Sequence, residues 1–248
     1  MKVIPLLEGV YYVDTKKDFH YISDDIEAKR PADGYNLIVR PFLIQTITDN
    51  ILIDCGYGSE LDCEPIIIKK LREHHVEPNQ ITKVLISHLH KDHINGIGNW
   101  VGEQFVCNFP EAQIYIQQRE YDYAIAQTNN SYNYERLKKL KSFKNIVWMN
   151  DENGAISNEI TYEVTGGHVP FQQVFWIKED GETTFYGADN LPQLNYFKYH
   201  AAFKNDVDGV KAMEDRLRWE EDAKKEHWNI LFYHGKRTDT KQHLNSEA

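Results

Sequence analysis

Four side chains that commonly bind metal ions lie within six residues of one another, in the run Ser87-His88-Leu89-His90-Lys91-Asp92-His93. The run follows the apolar segment Lys83-Val84-Leu85-Ile86, whose β-branched residues predict a buried strand. Residues two apart in an extended chain project to the same side, so His88 and His90 can bind one ion. Asp92 and His93 are neighbours and cannot share that side without a bend, which favours a second ion. The alternative interpretation is a polar surface loop that is rich in histidine.

Three further donors follow predicted strands elsewhere in the chain. Each comes after a short apolar segment: His168 after Ile160–Val164, Asp189 after Thr183–Tyr186, and His234 after Asn229–Tyr233. Taken singly, each of these histidines is more typical of an ordinary loop or half-buried residue than of a metal ligand. Their common position after strands instead favours one site, built from polar residues at one edge of a sheet.

The complete donor pattern resembles that of the metallo-β-lactamase superfamily of metal-dependent hydrolases, and the resemblance extends from about Asn36 to His234. It implies two zinc ions per chain, with Mn²⁺, Fe²⁺ or Co²⁺ as alternatives because nitrogen and oxygen donors without thiolate also accept those metals. The implied ligands are His88, His90 and His168 for the first ion, Asp92, His93 and His234 for the second, and Asp189 as the bridge. Asp54 matches the superfamily's strand-end aspartate, which supports the metal loop without binding metal.

The residues alone predict a mixed α/β domain, and the resemblance implies an αββα four-layer sandwich, the metallo-β-lactamase fold, as a single domain over residues 1–248. A helix is predicted over 208–226, with a buried stripe of Val210, Met213, Leu217 and Trp219. Other predictions are a strand over 36–46 in a hairpin with 50–54, a helix over 61–75, and helical sequence over 120–140 broken at 129–131. Residues 14–35 are predicted to form an exposed loop, with a lid or a dimer arm as the functional interpretation.

Within the superfamily, the segments Gly187–Pro192 and Leu231–Gly235 look most like the quorum-quenching lactonase and methyl-parathion-hydrolase-like group. Two positions depart from that group. Phe171-Gln172 stands where the usual turn has glycine and histidine, and Pro192 stands where some lactonases have a catalytic tyrosine. Tyr196 or Tyr199 is a candidate replacement for that tyrosine, and the alternative is that both rings pack against a substrate wall or the core.

The resemblance implies hydrolysis by a metal-bridging hydroxide, with Asp92 orienting the hydroxide and Asp189 passing a proton to the leaving oxygen. The preferred substrate is a small lactone or other ester of the acyl-homoserine-lactone type, whose tail Phe171, Tyr196 and Phe197 are candidates to shelter. A thioesterase of the glyoxalase-II type and a phosphotriester hydrolase are the alternative enzymes. A catalytically silent metal-binding sensor or scaffold is the alternative from a different functional class.

Composition limits the partners of the chain. The formal net charge of −10 disfavours a nucleic-acid surface, because phosphates require basic patches. No apolar run approaches the roughly 18 residues that a membrane span requires, and no early apolar run follows a basic cluster as in a secretory signal. Three cysteines without paired spacing fit a reducing cytoplasm better than a disulfide framework. A small-molecule substrate is expected, and the sequence leaves open whether the chain forms a homodimer.

Overall fold

The computed structural model describes residues 1–29 and 33–236 of the chain. The chain divides into two compact units, here called the N-terminal unit (residues 2–149) and the C-terminal unit (residues from 150 onward). The strands of the N-terminal unit are β1 Lys2–Pro5, β2 Gly9–Val13, β3 Phe19–Ser23, β4 Tyr35–Val39, β5 Phe42–Gln45, β6 Asn50–Ile53, β7 Glu60–Leu61, β8 Glu64–Pro65, β9 Lys83–Leu85, β10 Gly98–Val101, β11 Gln104–Cys107, β12 Gln113–Gln117 and β13 Ile146–Met149. Its helices are α1 Ile66–Glu73, α2 Lys91–Ile94, α3 Gln118–Ile125 and α4 Tyr134–Leu140, with 3₁₀ turns at Pro78–Gln80 and Asn95–Ile97.

A six-stranded sheet in the order β1-β5-β6-β9-β12-β13 forms the centre of the N-terminal unit. The pairs β6-β9, β9-β12 and β12-β13 are parallel, whereas the pairs β1-β5 and β5-β6 are antiparallel. Leu52, Val84 and Ile114 occupy one row across the parallel strands and have no exposed surface, as expected for strands whose apolar side chains form the core. The parallel strands β6 and β9 end at the same edge, so Asp54 and Ser87 emerge there together.

The predicted hairpin is confirmed for β5 and β6, but the prediction of one strand over 36–46 is wrong. Strand β4 ends at Val39, pairs with β2 in a separate three-stranded sheet of order β3-β2-β4, and is followed by Arg40 and Pro41 before β5 begins. Proline has no N–H to give to a sheet, so a break at Pro41 is physically reasonable. Residues 14–35 are likewise not a continuous loop, because they contain β3, which pairs with β2.

The helix predicted over 61–75 is shorter in the structure. Strands β7 and β8 form a small antiparallel ladder there, and α1 begins only after Pro65. Proline fixes its own φ near the helical value and lacks an N–H, which suits it to a helix start. The predicted break over 129–131 is confirmed, since α3 ends at Ile125 and α4 begins at Tyr134 with the Asn133 side chain accepting a hydrogen bond from the Arg136 N–H.

The C-terminal unit contains one five-stranded sheet in the order β14-β15-β16-β17-β18. Its strands are β14 Asn153–Ala155, β15 Ile160–Val164, β16 Gln173–Glu179, β17 Glu182–Tyr186 and β18 Asn229–Leu231, and its helices are α5 Asn195–Tyr199 and α6 Gly209–Glu226, with a 3₁₀ turn at Ala188–Asn190. Because β15-β16-β17 pair antiparallel and β17-β18 pair parallel, β15, β17 and β18 all run in one direction. The three predicted donors of this unit therefore leave the sheet at the same edge. Among the helices in the described residues, none is long and apolar enough to cross a bilayer.

The position of α6 is as predicted, but most of its predicted buried stripe is wrong. Of the predicted residues only Trp219 is fully buried, whereas Val210 is 54% and Leu217 38% exposed. The inner face carries instead Ala212, Asp215, Arg216 and Ala223. Arg216 can be buried because its guanidinium donates hydrogen bonds to the backbone oxygens of Asn190 (2.8 Å) and Ala201 (2.5 Å).

Candidate metal centre

Asp54 is the centre of a buried hydrogen-bond network at the end of β6. Its Oδ1 accepts the Ser87 backbone N–H at 2.8 Å, and its Oδ2 accepts the Ser87 hydroxyl at 2.7 Å. The same Oδ2 lies 2.8 Å from Nδ1 of His93. Asp54 has a left-handed backbone (φ 53°) and no exposed surface, so the chain accepts local strain in order to place this carboxylate. The network ties the end of β6 to both sides of the histidine-rich run.

The His88–His93 cluster, which we define as His88, His90, Asp92 and His93, spans two segments of different backbone conformation. His88 and His90 are in extended chain after β9, and the bend that separates them from Asp92 is the single turn α2, in which the His93 N–H bonds the His90 carbonyl at 2.9 Å. The His88 ring centroid is 4.7 Å from that of His90 and 4.2 Å from that of His93. His93 Nε2 lies 3.6 Å from Asp92 Oδ2. The turn therefore gathers all four donors instead of separating them.

Close backbone contact holds this turn against the Asp54 loop. The Cys55 N–H donates to the His93 carbonyl at 2.7 Å, and the Gly96 N–H donates to the Gly56 carbonyl at 3.2 Å. A Cβ at position 96 would lie 2.0 Å from the Cys55 carbonyl oxygen, so only glycine allows this approach. Gly96 therefore permits the packing that fixes the cluster.

Two buried charged residues near the cluster were not found by sequence reasoning. Glu120 accepts the Leu89 N–H through Oε1 at 3.3 Å, although it lies on α3. Lys91, on α2 within the run itself, donates from Nζ to the Lys17 carbonyl at 2.6 Å and lies over the Phe19 ring, 5.1 Å from its centroid. Burial lowers the Lys91 pKa. Both contacts join residues far apart in sequence, and no local pattern signals them.

In the C-terminal unit, His168, Asp189 and His234 form a second group of donors, here called the Asp189 group. Asp189 uses a different oxygen toward each imidazole: Oδ2 lies 3.4 Å from His168 Nε2, and Oδ1 lies 3.2 Å from His234 Nε2. The three side chains are 16%, 12% and 5% exposed, in chain order. The backbone N–H of His234 donates to the Pro192 carbonyl at 3.1 Å, which fixes the end of β18 beside the Asp189 turn.

The turn that carries His168 is held by Asn190. The Asn190 side chain accepts a hydrogen bond from the backbone N–H of His168 at 2.8 Å through Oδ1. Through Nδ2 it donates to the Gly166 carbonyl at 2.8 Å. Gly167 has φ +90°, and a Cβ there would lie 2.6 Å from Asn190 Oδ1. Glycine at 167 is therefore required both by its backbone conformation and by the close approach of the amide.

The structure also shows a carboxylate partner for His168 that the sequence did not reveal. His168 Nδ1 lies 2.9 Å from Asp206 Oδ1, and the Asp206 side chain is only 5% exposed. Asp206 lies in the segment before α6, far from His168 in sequence. In the sequence, Asp206 is an acidic residue two positions before the α6 cap. Acidic residues are common at the start of any helix, so this position does not indicate a contact with His168.

The donor chemistry in each unit fits a divalent metal. His88, His93 and His168 each hold a partner through Nδ1 (Ser87, Asp54 and Asp206), which leaves Nε2 oriented as the ligand atom of a neutral ring. Two ligands about 2.0–2.1 Å from a tetrahedral zinc lie roughly 3.3 Å apart. The separations of 3.2, 3.4 and 3.6 Å between imidazole Nε2 and carboxylate oxygen are close to that value. A ring lone pair and a carboxylate repel at such distances unless a cation or a second ring proton lies between them.

Other residues proposed from the sequence lie in various environments. Phe197 is buried in the core of the C-terminal unit, and Phe171 is half-buried. Tyr196 stacks on Phe203 with ring centroids 4.3 Å apart, while Tyr199 is 69% exposed. The core position of Phe197 removes it from the candidates for a substrate wall. The three cysteines are free thiols, as predicted: Cys55 is buried, Cys107 half-buried and Cys63 exposed.

Comparison with solved structures shows the fold. A probable metal-dependent hydrolase from Staphylococcus aureus is 21% identical, with 94% of this chain and 89% of that chain covered at a TM-score of 0.73. AidC, a dizinc quorum-quenching lactonase solved with its product N-hexanoyl-L-homoserine, is 19% identical, with 94% and 87% covered at a TM-score of 0.71. An N-acyl homoserine lactone hydrolase with the same product at its catalytic metal centre is 21% identical, with 94% and 93% covered at 0.70.

Comparison with protein families identifies the chain more directly. The search of curated proteins found no match. The sequence model of the metallo-β-lactamase superfamily matches residues 35–233, which is most of the chain and includes every predicted donor except His234. The predicted α/β fold and the predicted hydrolase class are confirmed by these findings together. The chain belongs to the metallo-β-lactamase superfamily and is a hydrolase with that fold.

Proposed function

We propose that this protein is a dinuclear zinc hydrolase that cleaves a lactone or another ester of a small, apolar molecule. The observation that carries the proposal is the geometry of Asp189, whose two oxygens each lie near the Nε2 of a different histidine. A carboxylate placed in this way is suited to bridge two ions. The His88–His93 cluster adds four more nitrogen and oxygen donors of the kind that zinc accepts.

The proposed ligand assignment follows the superfamily pattern. The first ion would be held by His88, His90 and His168, the second by Asp92, His93 and His234, and Asp189 would be shared by both. Zinc is preferred, and Mn²⁺, Fe²⁺ and Co²⁺ stay alternatives because no thiolate is among the ligands. The match of one family model to residues 35–233 supports the proposal that residues 1–248 form one domain. The free cysteines support a reducing, cytoplasmic compartment.

In the proposed mechanism the protein positions water and moves a proton. When bound, zinc supplies Lewis acidity, which lowers the pKa of a coordinated water and polarises a carbonyl oxygen. Asp92 orients the attacking water, and its own position is fixed because it lies on the turn that His93 and Asp54 anchor. Asp189 takes up the proton that the attacking water loses and passes it to the leaving oxygen as the acyl C–O bond breaks. Asp54 keeps the His93 ring in the tautomer that presents Nε2.

Apolar side chains beside each group of donors support a substrate with an apolar tail. In the N-terminal unit the Phe19 and Tyr57 rings stack with centroids 4.8 Å apart. Burial raises the Tyr57 pKa, and the charge of Asp92 raises it further, so this pair of rings lies near the donor cluster. In the C-terminal unit Val207 is 61% exposed and directly follows Asp206, the partner of His168. AidC and the N-acyl homoserine lactone hydrolase, which share the fold, were solved with an acyl-homoserine product.

Elemental analysis of protein purified with added zinc tests the metal part of the proposal. We expect close to two divalent ions per chain for the native protein and fewer for the double variant H88A/H93A. Only trace metal in the native protein would rule out the dinuclear centre. Metal in equal amounts in both proteins would show that the ions bind elsewhere.

A substrate panel tests the chemistry. Zinc-loaded protein is incubated with acyl-homoserine lactones of increasing tail length, aryl esters, aryl thioesters and aryl phosphotriesters, and the D189N variant is purified in parallel to exclude contaminating hydrolases. We expect the largest kcat/KM for a neutral lactone with an apolar tail. A preference for thioesters or for phosphotriesters would overturn the lactonase proposal in favour of the corresponding alternative enzyme. Two bound ions without turnover of any substrate would favour a metal-binding sensor.

A further inference from the structure

We propose that Asp206 is a positioning residue that holds His168 in the orientation and tautomer required for metal binding. The inference rests on the proposed function, because it presumes that His168 binds metal. Neither the superfamily donor pattern nor the sequence assigns a role to Asp206. The contact that carries the proposal is the 2.9 Å separation between Asp206 Oδ1 and His168 Nδ1.

The Asp206 segment is held against the His168 turn by backbone bonds as well. The Val207 N–H donates to the His168 carbonyl at 3.2 Å, and the Asp208 N–H donates to the Gly167 carbonyl at 2.9 Å. These two bonds flank the side-chain contact, so Asp206 and His168 keep a fixed relation. The imidazole is therefore held at its backbone and at its Nδ1 atom by the same short segment.

The contact decides which ring nitrogen is available. A carboxylate is only an acceptor, so the ring must place its proton on Nδ1 to satisfy Asp206, and the lone pair of a neutral ring is then on Nε2. Nε2 is also the atom that lies 3.4 Å from Asp189 Oδ2, on the side where the bridge is proposed. Carboxylates that orient a ligating histidine in this way typically change metal affinity about 10–100-fold when removed.

Apart from its contact with His168, the Asp206 side chain balances the charge of Arg216 but does not cap α6. The cap of α6 is Asp208, whose Oδ1 accepts the Lys211 N–H at 3.0 Å. The second oxygen of Asp206, Oδ2, is buried and accepts no hydrogen bond from any residue that the structure describes. The Asp206 side chain is 95% buried, so its hydrogen bond to His168 and the charge of Arg216 together must offset the cost of removing the carboxylate from water. The guanidinium of Arg216 provides the compensating charge. Burial lowers the Arg216 pKa, and the negative charge of Asp206 is the strongest influence that raises it again.

Variants at two positions, 206 and 208, separate a role in positioning from a role in stability. D206A removes the acceptor for His168, and D206N keeps an amide oxygen in nearly the same place. D208A is the matched control, because it removes the α6 cap in the same segment without touching the imidazole. Thermal unfolding of the full-length, metal-free proteins shows whether each variant folds.

The first readout is the tautomer of His168 in metal-free protein, measured from ¹⁵N chemical shifts of labelled histidine. We expect Nδ1–H in the native protein and in D208A, a gain of Nε2–H in D206A, and an intermediate population in D206N. The second readout is zinc affinity from chelator competition. We expect D206A to weaken binding of one of the two ions about 10–100-fold, D206N to weaken it less, and D208A to bind as the native protein does.

The outcomes distinguish this inference from the proposed function. If native protein binds two ions and D206A binds both equally tightly with an unchanged tautomer, Asp206 does not position His168. If the native protein binds no zinc, the proposed metal centre fails, while the tautomer measurement still shows whether Asp206 orients the ring. If D206A fails to fold, D206N provides the same two readouts, and an unchanged tautomer together with undiminished affinity in D206N then overturns the inference.

Discussion

Oδ2 of Asp54 lies 2.8 Å from Nδ1 of His93, and neither side chain has any exposed surface. The same carboxylate also accepts the Ser87 N–H and hydroxyl, so three donors from the protein balance its charge. One aspartate at the end of β6 thereby fixes residues on both sides of the His88–His93 cluster. The support of the cluster is therefore fully buried.

Removal of Asp54 should therefore destabilise the fold itself. We expect Asp54→Ala to lower the free energy of unfolding by about 3–5 kcal/mol, because it leaves the buried Ser87 and His93 donors without their acceptor. Urea unfolding of metal-free protein measures the loss. The exposed Asp24 supplies the control, and Asp24→Ala should change stability by less than about 0.5 kcal/mol. Equal stabilities for the two variants would contradict the anchoring role.

Gly167 should be less replaceable than another glycine with a similar backbone. A Cβ at 167 meets Asn190 Oδ1 at 2.6 Å, whereas a Cβ at Gly181 (φ +78°) meets nothing within 4 Å. Gly181→Ala should cost only the left-handed backbone penalty, about 1–2 kcal/mol. Gly167→Ala adds a clash that displaces Asn190 or His168, so we expect a larger loss of stability together with reduced zinc content. Thermal unfolding and elemental analysis of both variants check the difference.

Asp189 should matter more to activity than any histidine at the edge of the proposed centre. Loss of one imidazole can be replaced in part by water, whereas loss of the bridge removes the group that sets the distance between the ions. We therefore expect Asp189→Ala to lower kcat further than His234→Ala does, when both are assayed with the best ester of the panel. Near-native turnover with two bound ions in Asp189→Ala would show that Asp189 is not the bridge.

A buried carboxylate outside the donor groups should control the pH dependence of stability. Glu8 is 1% exposed and accepts the N–H groups of Tyr57 (2.6 Å) and Ser59 (2.9 Å). Burial raises its pKa from the usual 4.5 to about 7, in spite of these bonds. The folded state thus keeps a proton that the unfolded chain releases between pH 4.5 and about 7, so the contribution of Glu8 to stability falls as pH rises through that range and is constant above it.

The corresponding variant is Glu8→Gln, which has no proton to lose. Its free energy of unfolding should lack this decrease, which amounts to about 3 kcal/mol for the native protein. Urea unfolding at a series of pH values, taken as the difference between variant and native protein, isolates the contribution of Glu8. Glu111→Gln, at an exposed position, should follow the native curve. A constant difference between Glu8→Gln and native protein would mean that Glu8 is ionised in the fold at all these pH values.

The elements that sequence predicted well are those with a strong local pattern. Strands β9, β15 and β17 are short apolar segments followed directly by polar donors, and they occur where expected. The prediction of the buried stripe of α6 was wrong because it assumed that the buried face of the helix is apolar. Here Arg216 occupies that face by bonding two backbone oxygens, a long-range pairing that hydrophobic periodicity does not contain.

The same distinction separates predicted from unpredicted site residues. The histidine-rich run is detectable because its donors are close in sequence. Asp206 contacts His168, Glu120 contacts the Leu89 backbone and Lys91 contacts the Lys17 carbonyl, all over long sequence separations, so one sequence gives no means of pairing them. Strand β3 was missed for a related reason, since its residues Phe19–Ser23 alternate too little to differ from a polar loop.

Arg216 has a consequence for where this protein tolerates change. Its two bonds hold the backbone at Asn190 and at Ala201. The segment between them contains α5, whose Phe197 is buried in the core, and Pro192, whose carbonyl accepts the backbone N–H of His234. An insertion in this segment would therefore disturb both a core residue and the strand end that carries a donor. Substitution of an exposed side chain such as Tyr199 leaves both in place, so this segment can vary in sequence but not in length.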